Sequence, residues 1–370
     1  MNREKCMVCD SRNIEKIIDL GMHPFADTFI DKTKNLMPLP VYNLSCTLCS
    51  NCKHVQTQIK TDPNERYNLF DYSYTSSNSN TSRRHWQIFC DDITKELQLD
   101  SDTKICEIGS NDGYLLKCFK QKLNAFVYGI DASRAMCKLS ENDNIVSENA
   151  VFNLETALSL KEKHGPSDLV IANNVYNHSD NPISFTMGVS ELLLDKGYFV
   201  FEVPYWKTTV ETKKIDQIYH EHVSYFTATS LKFLLSKCGF VIKKIKLVDY
   251  HGGSLRVVAQ KTTEHKNCHD LESFLQDEKF LFCKKTYEDL NSSLMEAKVN
   301  FLIDLLEHKK AGHSIVAIGA AAKGNTLLNF LNLNSSIVDC VTDASKHKQG
   351  KKTPLSDINI YDDSVLSSYD

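Results

Sequence analysis

The sequence predicts an α/β protein with a mostly parallel central sheet, a cysteine-rich opening module and a second α/β unit near the C-terminus. Three observations lead to this fold. Apolar strands alternate with helical segments through the middle of the chain, which is the pattern of a parallel sheet. Two CxxC turns lie near the start, and a strand, a small-residue turn and a helix recur in SIVAIGAAAKGNTLLNFL. At 370 residues, two or three domains are expected.

Composition excludes several classes of protein. The chain is 42% hydrophobic and 24% charged, as in globular proteins, and its net charge of −4 argues against binding to nucleic acid or to an anionic membrane. No run approaches the roughly 18 apolar residues of a membrane span. The start, MNREKCMVCD, lacks the apolar core of a signal peptide. The 13 cysteines are therefore expected to be reduced thiols in the cytoplasm.

The opening module carries a metal-binding pattern. Cys6 and Cys9 form one CxxC turn, and CTLCSNC supplies Cys46, Cys49 and Cys52. Two such turns complete a tetrahedral zinc site. We assign Cys49 and Cys52 to the second pair, because KHVQ follows as the returning strand. Four thiolates close the coordination shell, so the zinc is expected to be structural. Unliganded core cysteines are the alternative.

A polar, aromatic stretch follows, YNLFDYSYTSSNSNTSRRHW. Its serines, threonines and asparagines are typical of a solvated linker. Its tyrosines, Tyr72 among them, are unusual for a linker and indicate a segment that folds over a ligand. Local evidence leaves both interpretations open.

The stretch KICEIGSNDGYLL at 104–116 predicts a cofactor site. An apolar strand ends in Glu107, a turn contains Gly109 and Gly113, and a helix begins. Glycine lets the backbone bend and approach a ligand closely. About 18 residues later, FVYGID ends in Asp131, where an acid can accept from ribose hydroxyls. We expect an adenosine-type cofactor, with a turn that serves only packing as the alternative.

Polar residues also follow the later strands. Asn173 follows GPSDLVIA, His178 comes five residues later, and Glu202 lies near the end of GYFVFEVPYW. In parallel sheets, ligands bind beyond the carboxyl ends of the strands. These residues are therefore expected to converge with Glu107 and Asp131.

A run of side chains that can transfer protons lies in DQIYHEHVSYF at 216–226. These side chains are the consecutive residues Tyr219, His220, Glu221 and His222. Histidine suits general-base catalysis at neutral pH, and a neighbouring carboxylate can orient its ring. The helical zinc spacing HExxH is absent. We interpret the cluster as catalytic rather than structural.

Two later segments offer anion-binding residues. HGGSLRVVAQ at 251–260 reads as a strand returning to the sheet, and its Arg256 is either part of an edge hairpin or a phosphate ligand. In GAAAKGNTLLN, a helix N-terminus and Lys323 could bind phosphate. The spacing is not that of an NTPase.

Taken in order behind the cysteine module, EIGSNDGYLL, EVPY, DQIYHEHVSYF, HGGSLRVV and GAAAKGNTLLN resemble the S-adenosylmethionine-dependent sugar C-methyltransferases. The resemblance covers nearly the whole chain. It implies a Rossmann-like methyltransferase domain at 71–265, between a zinc-binding module at 1–70 and a Rossmann-like domain at 266–370 that holds the nucleotide. The substrate would be a nucleotide-diphosphate 4-keto-deoxysugar, methylated beside the ketone, at C3. A monomer or weak dimer is expected.

The resemblance also implies roles for individual residues. His222 would be the general base, with Tyr219, Glu221 and His178 around the sugar. The implied cofactor ligands are Tyr72, Glu107, Gly109, Asn111, Gly113, Asp131 and Asn173. Arg256, Lys323 and Asn325 would bind the nucleotide sugar.

The sequence departs from the family pattern in two places. CTLCSNC has a surplus cysteine, and the chain stops at VLSSYD where similar enzymes continue into a further strand, so an incomplete C-terminal sheet is expected. Two alternatives remain open at this point. One is an NAD-dependent nucleotide-sugar epimerase or dehydrogenase, against which the missing GxGxxG argues. The other is an inactive scaffold.

Overall fold

A computed structural model describes residues 2–31, 38–62, 65–66, 75–77, 79–264 and 266–369. Within these ranges, no helix is both long and apolar enough to cross a membrane. The strands of the described chain are β1 (Ile14–Pro24), β2 (Val41–Cys49), β3 (Val55–Thr57), β4 (Lys104–Ile108), β5 (Phe126–Asp131), β6 (Val146–Asn149), β7 (Ser167–Ile171), β8 (Leu193–Pro204), β9 (Ser224–Tyr225), β10 (Phe240–Val248), β11 (Ser254–Lys261), β12 (Val316–Ile318), β13 (Cys340–Thr342) and β14 (Ile360–Tyr361).

The α-helices connect these strands. They are α1 (Asn80–Leu97), α2 (Tyr114–Leu123), α3 (Arg134–Glu141), α4 (Leu154–His164), α5 (Pro182–Leu192), α6 (Trp206–Glu211), α7 (Ala228–Lys237), α8 (Asp270–Asp277), α9 (Lys284–Lys310) and α10 (Ala322–Phe330). The apolar spacing over 269–310 predicts helix throughout, but a short 3₁₀ segment at Lys279–Phe282 separates α8 from α9.

Helix α1 begins earlier than its apolar spacing predicts. The pattern indicates a helix from Trp86, but the structure begins it at Asn80, because the Ser79 side chain accepts from the Ser82 N–H and caps the helix. Its buried face carries Trp86, Phe89 and Ile93, and this spacing places them on one side of the helix against the central sheet.

The central sheet has the order β10-β11-β8-β7-β4-β5-β6. Strands β4 to β8 pair in parallel, and β11 lies antiparallel between β8 and β10. The mostly parallel sheet is therefore confirmed, and β11 is the one strand that runs against the other six. Since Ile105, Cys106 and Ile108 are all buried, β4 has apolar side chains on both faces, as expected for a central parallel strand.

The opening module is joined to the central domain by a shared sheet. Its order is β1-β2-β3-β9, and β9 comes from Ser224–Tyr225, directly after the histidine cluster. Val55 pairs with Tyr225, and the Thr57 N–H donates to the Val223 carbonyl. The strand that returns after Cys52 was predicted, but its pairing with a segment almost 170 residues later was not.

The C-terminal unit is a parallel sheet of order β12-β13-β14 with α10 after its first strand. Apolar residues of this unit, of α9 and of the opening module form one hydrophobic cluster, which includes Leu44, Leu290 and Val341. The C-terminal unit, α9 and the opening module therefore share one hydrophobic core. The boundaries at 70 and 265 remain a prediction.

Candidate active site

A cavity of about 570 Å³ lies beyond the carboxyl ends of β4, β5, β7 and β8. All three regions of the chain contribute to its wall. Arg66 comes from the opening segment, the ends of the central strands supply most of the lining, and Ala321 and Lys323 come from the C-terminal unit. The convergence at the strand ends is the one expected for a parallel sheet.

The turn after β4 forms one wall. Gly109 has a φ of +69°, and its N–H donates to the Ile130 carbonyl at 2.7 Å. A Cβ on Gly109 would lie 2.8 Å from Cγ2 of Val175, which also lines the cavity. Both the conformation and the close approach therefore require glycine at this position.

Asp131, at the end of β5, supports this turn from the neighbouring strand. Its carboxylate accepts from the N–H groups of Asn111 and Ser133, each at 2.8 Å. Burial raises the pKa of the carboxyl, and these two backbone donors oppose the rise. A carboxylate has about four acceptor positions, so Asp131 can accept two bonds more from a ligand.

In the described part of the chain, two buried polar atoms in the same wall of the cavity have no hydrogen-bond partner, which is consistent with a polar ligand that binds there. Among the described residues, Oε2 of Glu107 and Nδ2 of Asn173 have no hydrogen-bond partner, although both atoms are buried. Oδ1 of Asn173 accepts from the Glu202 N–H at 2.9 Å, which fixes the amide. Burial, followed by the charges of Asp112 and Asp131, raises the Glu107 pKa well above its usual value. An acceptor, a donor and the glycine turn fit the hydroxyls and amines of an adenosine-type cofactor.

His222 has a defined tautomer. Its Nδ1 lies 2.9 Å from the Gln217 carbonyl, and Nε2 lies 2.5 Å from the Tyr219 hydroxyl. Because a carbonyl only accepts, Nδ1 carries the proton, and in the neutral ring Nε2 accepts from the tyrosine O–H. The basic nitrogen is therefore Nε2, in a side chain that lines the cavity.

The surroundings of His222 keep its ring neutral. Burial lowers the His222 pKa well below its usual value, and His178 and Lys323 lower it further. The rings of His178 and His222 lie 4.9 Å apart, nearly perpendicular, and burial lowers the His178 pKa to about 3. Lys323 is itself affected, since burial lowers its pKa. At neutral pH the imidazoles of His178 and His222 are therefore uncharged.

The other members of the histidine cluster face the opening module. Nε2 of His220 lies within 3.3 Å of the carbonyl oxygens of His23 and Tyr42. Oε1 of Glu221 accepts from the Asp27 N–H at 3.1 Å. Neither residue lines the cavity. Glu221 was predicted among the catalytic residues, but its contacts are those of a residue that holds segment 216–226 against the opening module.

Arg256 lies outside the cavity, and its predicted contact with a phosphate has no support in the structure. The buried guanidinium donates through Nε to Glu202 at 2.6 Å and through Nη1 to Asp92 at 2.8 Å. Glu202 also contacts Nε2 of His85 at 2.7 Å. Glu202, which was predicted to converge on the ligand, is therefore the buried centre of an ion-pair network that ties β8 and β11 to α1.

Replacement of Arg256 by methionine is expected to destabilise the fold by about 3–5 kcal/mol, because Glu202 would remain as a buried, poorly compensated charge. Denaturant unfolding measures this change. Asp91→Asn is the control, since its ion pair with Lys122 is exposed. A stable Arg256→Met protein with weakened binding of the nucleotide sugar would contradict this assignment.

The two predicted nucleotide-binding residues of the C-terminal unit differ in position. Lys323 lines the cavity, and within the described chain its ammonium has no hydrogen bond or ion pair. Asn325 is buried and donates through Nδ2 to the Ala26 carbonyl at 2.7 Å. It joins α10 to the opening module and does not line the cavity.

Tyr72, a predicted cofactor ligand, lies outside the described residues. Several residues of the cavity wall were not predicted from the sequence. Two of those missed, Gln217 and His251, stand in motifs that the sequence analysis used, and their hydrogen bond at 2.8 Å joins these motifs. Other polar residues of the wall had no distinctive signal in the sequence, among them Arg66, Ser76 and Asp180.

The four cysteines predicted as ligands lie together in the opening module. The Sγ atoms of Cys6, Cys9, Cys49 and Cys52 all lie within 4.8 Å of one another, with Cys6 and Cys52 3.4 Å apart. Zinc–sulfur bonds of 2.3 Å in a tetrahedron require sulfurs about 3.8 Å apart. The cluster therefore fits a structural zinc ion. Cys46 is buried apart from this cluster, and burial raises the pKa of its thiol.

Three family models match successive parts of the chain. A zinc-binding domain matches residues 6–67, a methyltransferase domain matches 82–245, and a C-methyltransferase C-terminal domain matches 249–370. The last match begins before β11, so it includes a strand of the central sheet.

Individual proteins are also similar. The C-methyltransferase NovU of Streptomyces niveus is 25% identical over 362 residues, which cover 97% of this chain and 85% of that protein. Magnesium protoporphyrin IX methyltransferase of Synechocystis PCC 6803, solved with bound S-adenosylmethionine, is 15% identical over 49% of this chain and 79% of that one, with a TM-score of 0.38. An S-adenosylmethionine-dependent methyltransferase of Methanosarcina mazei is 19% identical over 46% of this chain and 97% of that one, also with a TM-score of 0.38.

Proposed function

Because this chain belongs to the S-adenosylmethionine-dependent C-methyltransferases, we propose that it methylates the carbon beside the ketone of a nucleotide-linked 4-keto-6-deoxysugar, at C3. The observation that supports this proposal is the neutral His222, with its basic Nε2 in a cavity shared by the glycine turn and the C-terminal unit. When bound, S-adenosylmethionine supplies a methyl group on a sulfonium centre, which a carbanion can accept.

His222 acts as the general base. A ketone acidifies the neighbouring C–H bond, because the carbanion formed delocalises as an enolate. Nε2 of His222 removes this proton, and the Gln217 carbonyl, which holds Nδ1–H, stabilises the imidazolium that results. Since a low pKa makes the imidazole a weaker base, the site must also stabilise the enolate.

Tyr219 supplies that stabilisation. Without substrate, its O–H is hydrogen-bonded to Nε2 of His222. When the ketone binds, the hydroxyl turns to the ketone oxygen, which frees Nε2 for the C–H bond and gives the developing oxyanion a donor. One movement thus prepares both groups. His178, beside the His222 ring, is placed to contact the sugar from the other side.

The two ligands occupy different parts of the cavity. Gly109, Asn111 and Asp131 form the cofactor part, and the adjoining Glu107 and Asn173 offer it an acceptor and a donor. Lys323 faces the nucleotide part, where its charge meets the diphosphate. In this proposal both ligands bind at the strand ends of the central sheet, and the positioning of the two reacting carbons side by side accounts for much of the rate acceleration.

The test is incubation of the protein with methyl-labelled S-adenosylmethionine and a panel of nucleotide 4-keto sugars. We expect label in a nucleotide 4-keto-6-deoxysugar, at C3, as nuclear magnetic resonance of the product will show. A matched panel of the corresponding 4-hydroxy sugars is the control, because without a ketone no enolate forms. Equal methylation of both panels, or of neither, would contradict the proposal.

The cofactor assignment gives a separate prediction. Asp131→Ala is expected to weaken binding of S-adenosylhomocysteine by roughly 1.5–3 kcal/mol, the contribution of hydrogen bonds to a charged group. Calorimetry measures this change. Asp143→Ala is the control, since its partner is the half-exposed Lys117. Unchanged affinity in Asp131→Ala would exclude Asp131 as a cofactor ligand.

A further inference from the structure

The turn of the cofactor site is tied to a segment about 35 residues earlier in the chain. The Asp112 carboxylate accepts from Ser76 Oγ at 2.5 Å, from Ser77 Oγ at 2.5 Å and from the Ser77 N–H at 3.1 Å. Asp112 itself does not line the cavity. None of the functions described above uses these contacts.

The same segment reaches the cofactor side of the turn through Asn111. The Ser76 N–H donates to Oδ1 of Asn111 at 2.8 Å, and the Asn111 N–H donates to Asp131 at 2.8 Å. Ser76, Asn111 and Asp131 all line the cavity. A continuous set of hydrogen bonds thus runs from residues 76–77 through the turn to the acid that ends β5.

A carboxylate at position 112 has an electrostatic cost. Its charge raises the pKa of both Glu107 and Asp131, so three acidic groups repel one another around one turn. An asparagine would avoid this repulsion, but its amide has one acceptor atom where the carboxylate has two. Here both oxygens are used, one for each serine hydroxyl.

We propose that Asp112 is a positioning residue for the cofactor: it binds Ser76 and Ser77 to the glycine turn and so holds one side of the cofactor wall in its binding geometry. This inference rests on the proposed cofactor site. If this wall is already ordered before the cofactor binds, binding loses less conformational entropy. The affinity is then higher, although Asp112 makes no direct contact with the cofactor. The effect should therefore appear in cofactor affinity rather than in the chemical step.

The experiment measures binding of S-adenosylhomocysteine by calorimetry to the whole protein and to Asp112→Asn, Ser77→Ala, their double variant and Ser77→Thr. We expect about tenfold weaker binding for Asp112→Asn, as for a lost hydrogen bond to a charged group. Ser77→Ala should weaken binding as well, and the double variant should bind no more weakly than Asp112→Asn alone. Ser77→Thr, which keeps the hydroxyl, should bind like the unsubstituted protein.

The outcomes separate this inference from the proposed function and from a general loss of structure. If the unsubstituted protein binds no S-adenosylhomocysteine, the cofactor site itself is wrong. If it binds and Asp112→Asn stays within about twofold of it, the positioning role is refuted. Additive losses, or a lower kcat at saturating S-adenosylmethionine in place of a higher KM, would equally refute it. Asp91→Asn, whose ion pair joins α1 to α2 on the surface, is the matched control and should bind normally.

Discussion

His222→Asn is expected to lose methyl transfer by about 10²–10⁴-fold while retaining much of its affinity for both substrates, as when a positioned general base is removed. Asparagine can still donate toward the Gln217 carbonyl, but it has no basic nitrogen in the position of Nε2. Solvent-deuterium exchange at the sugar carbon beside the ketone should be lost in parallel, provided that the unsubstituted protein exchanges there without the methyl donor. Exchange is the sharper assay because it reports deprotonation alone.

His220→Asn is the matched control for this experiment. The two histidines are two residues apart and both are buried, but His220 faces the carbonyl oxygens of the opening module. We expect this variant to exchange at the rate of the unsubstituted protein once folded. If His220→Asn loses exchange and His222→Asn keeps it, the assignment of the base is wrong.

The second large effect is expected from Cys49→Ser, which should lose the zinc ion and with it the order of the opening module. Structural zinc sites contribute about 10–16 kcal/mol of apparent binding free energy, so the loss of one thiolate is severe. The pairing of β3 with β9 carries the effect to the proposed base, since β9 begins two residues after His222. We therefore expect reduced methyl transfer together with a lower unfolding temperature, although Cys49 does not line the cavity.

Metal analysis and thermal unfolding test this prediction. Cys46→Ser is the control, because Cys46 is a buried thiol of the same strand that lies outside the four-cysteine cluster. It should keep about one zinc per chain. Full zinc occupancy in Cys49→Ser would mean that Cys46 can replace the missing ligand.

The sequence by itself determined the parts of the site whose chemistry is local. Two CxxC turns indicated the four clustered thiols, because chelation depends on a spacing within one turn. Gly109 and the acid ending the next strand indicated the cofactor wall, because backbone conformation and strand order follow from short patterns. The histidine cluster likewise indicated where a base would lie, and a family resemblance supplied the reaction.

Only the tertiary structure decided which side chains share a surface. Tyr219 to His222 form an irregular turn, where no helical or strand periodicity tells which of two histidines faces the cavity. Arg256 looked like a phosphate ligand until its distant partners, Glu202 and Asp92, accounted for its charge. The sequence assigned Ser76 and Ser77 to a segment typical of a linker, whereas in the structure their hydroxyls donate to Asp112. In each case the deciding partner lies at least 35 residues away or on another element, and a local pattern contains no information about contacts that form only when the chain folds.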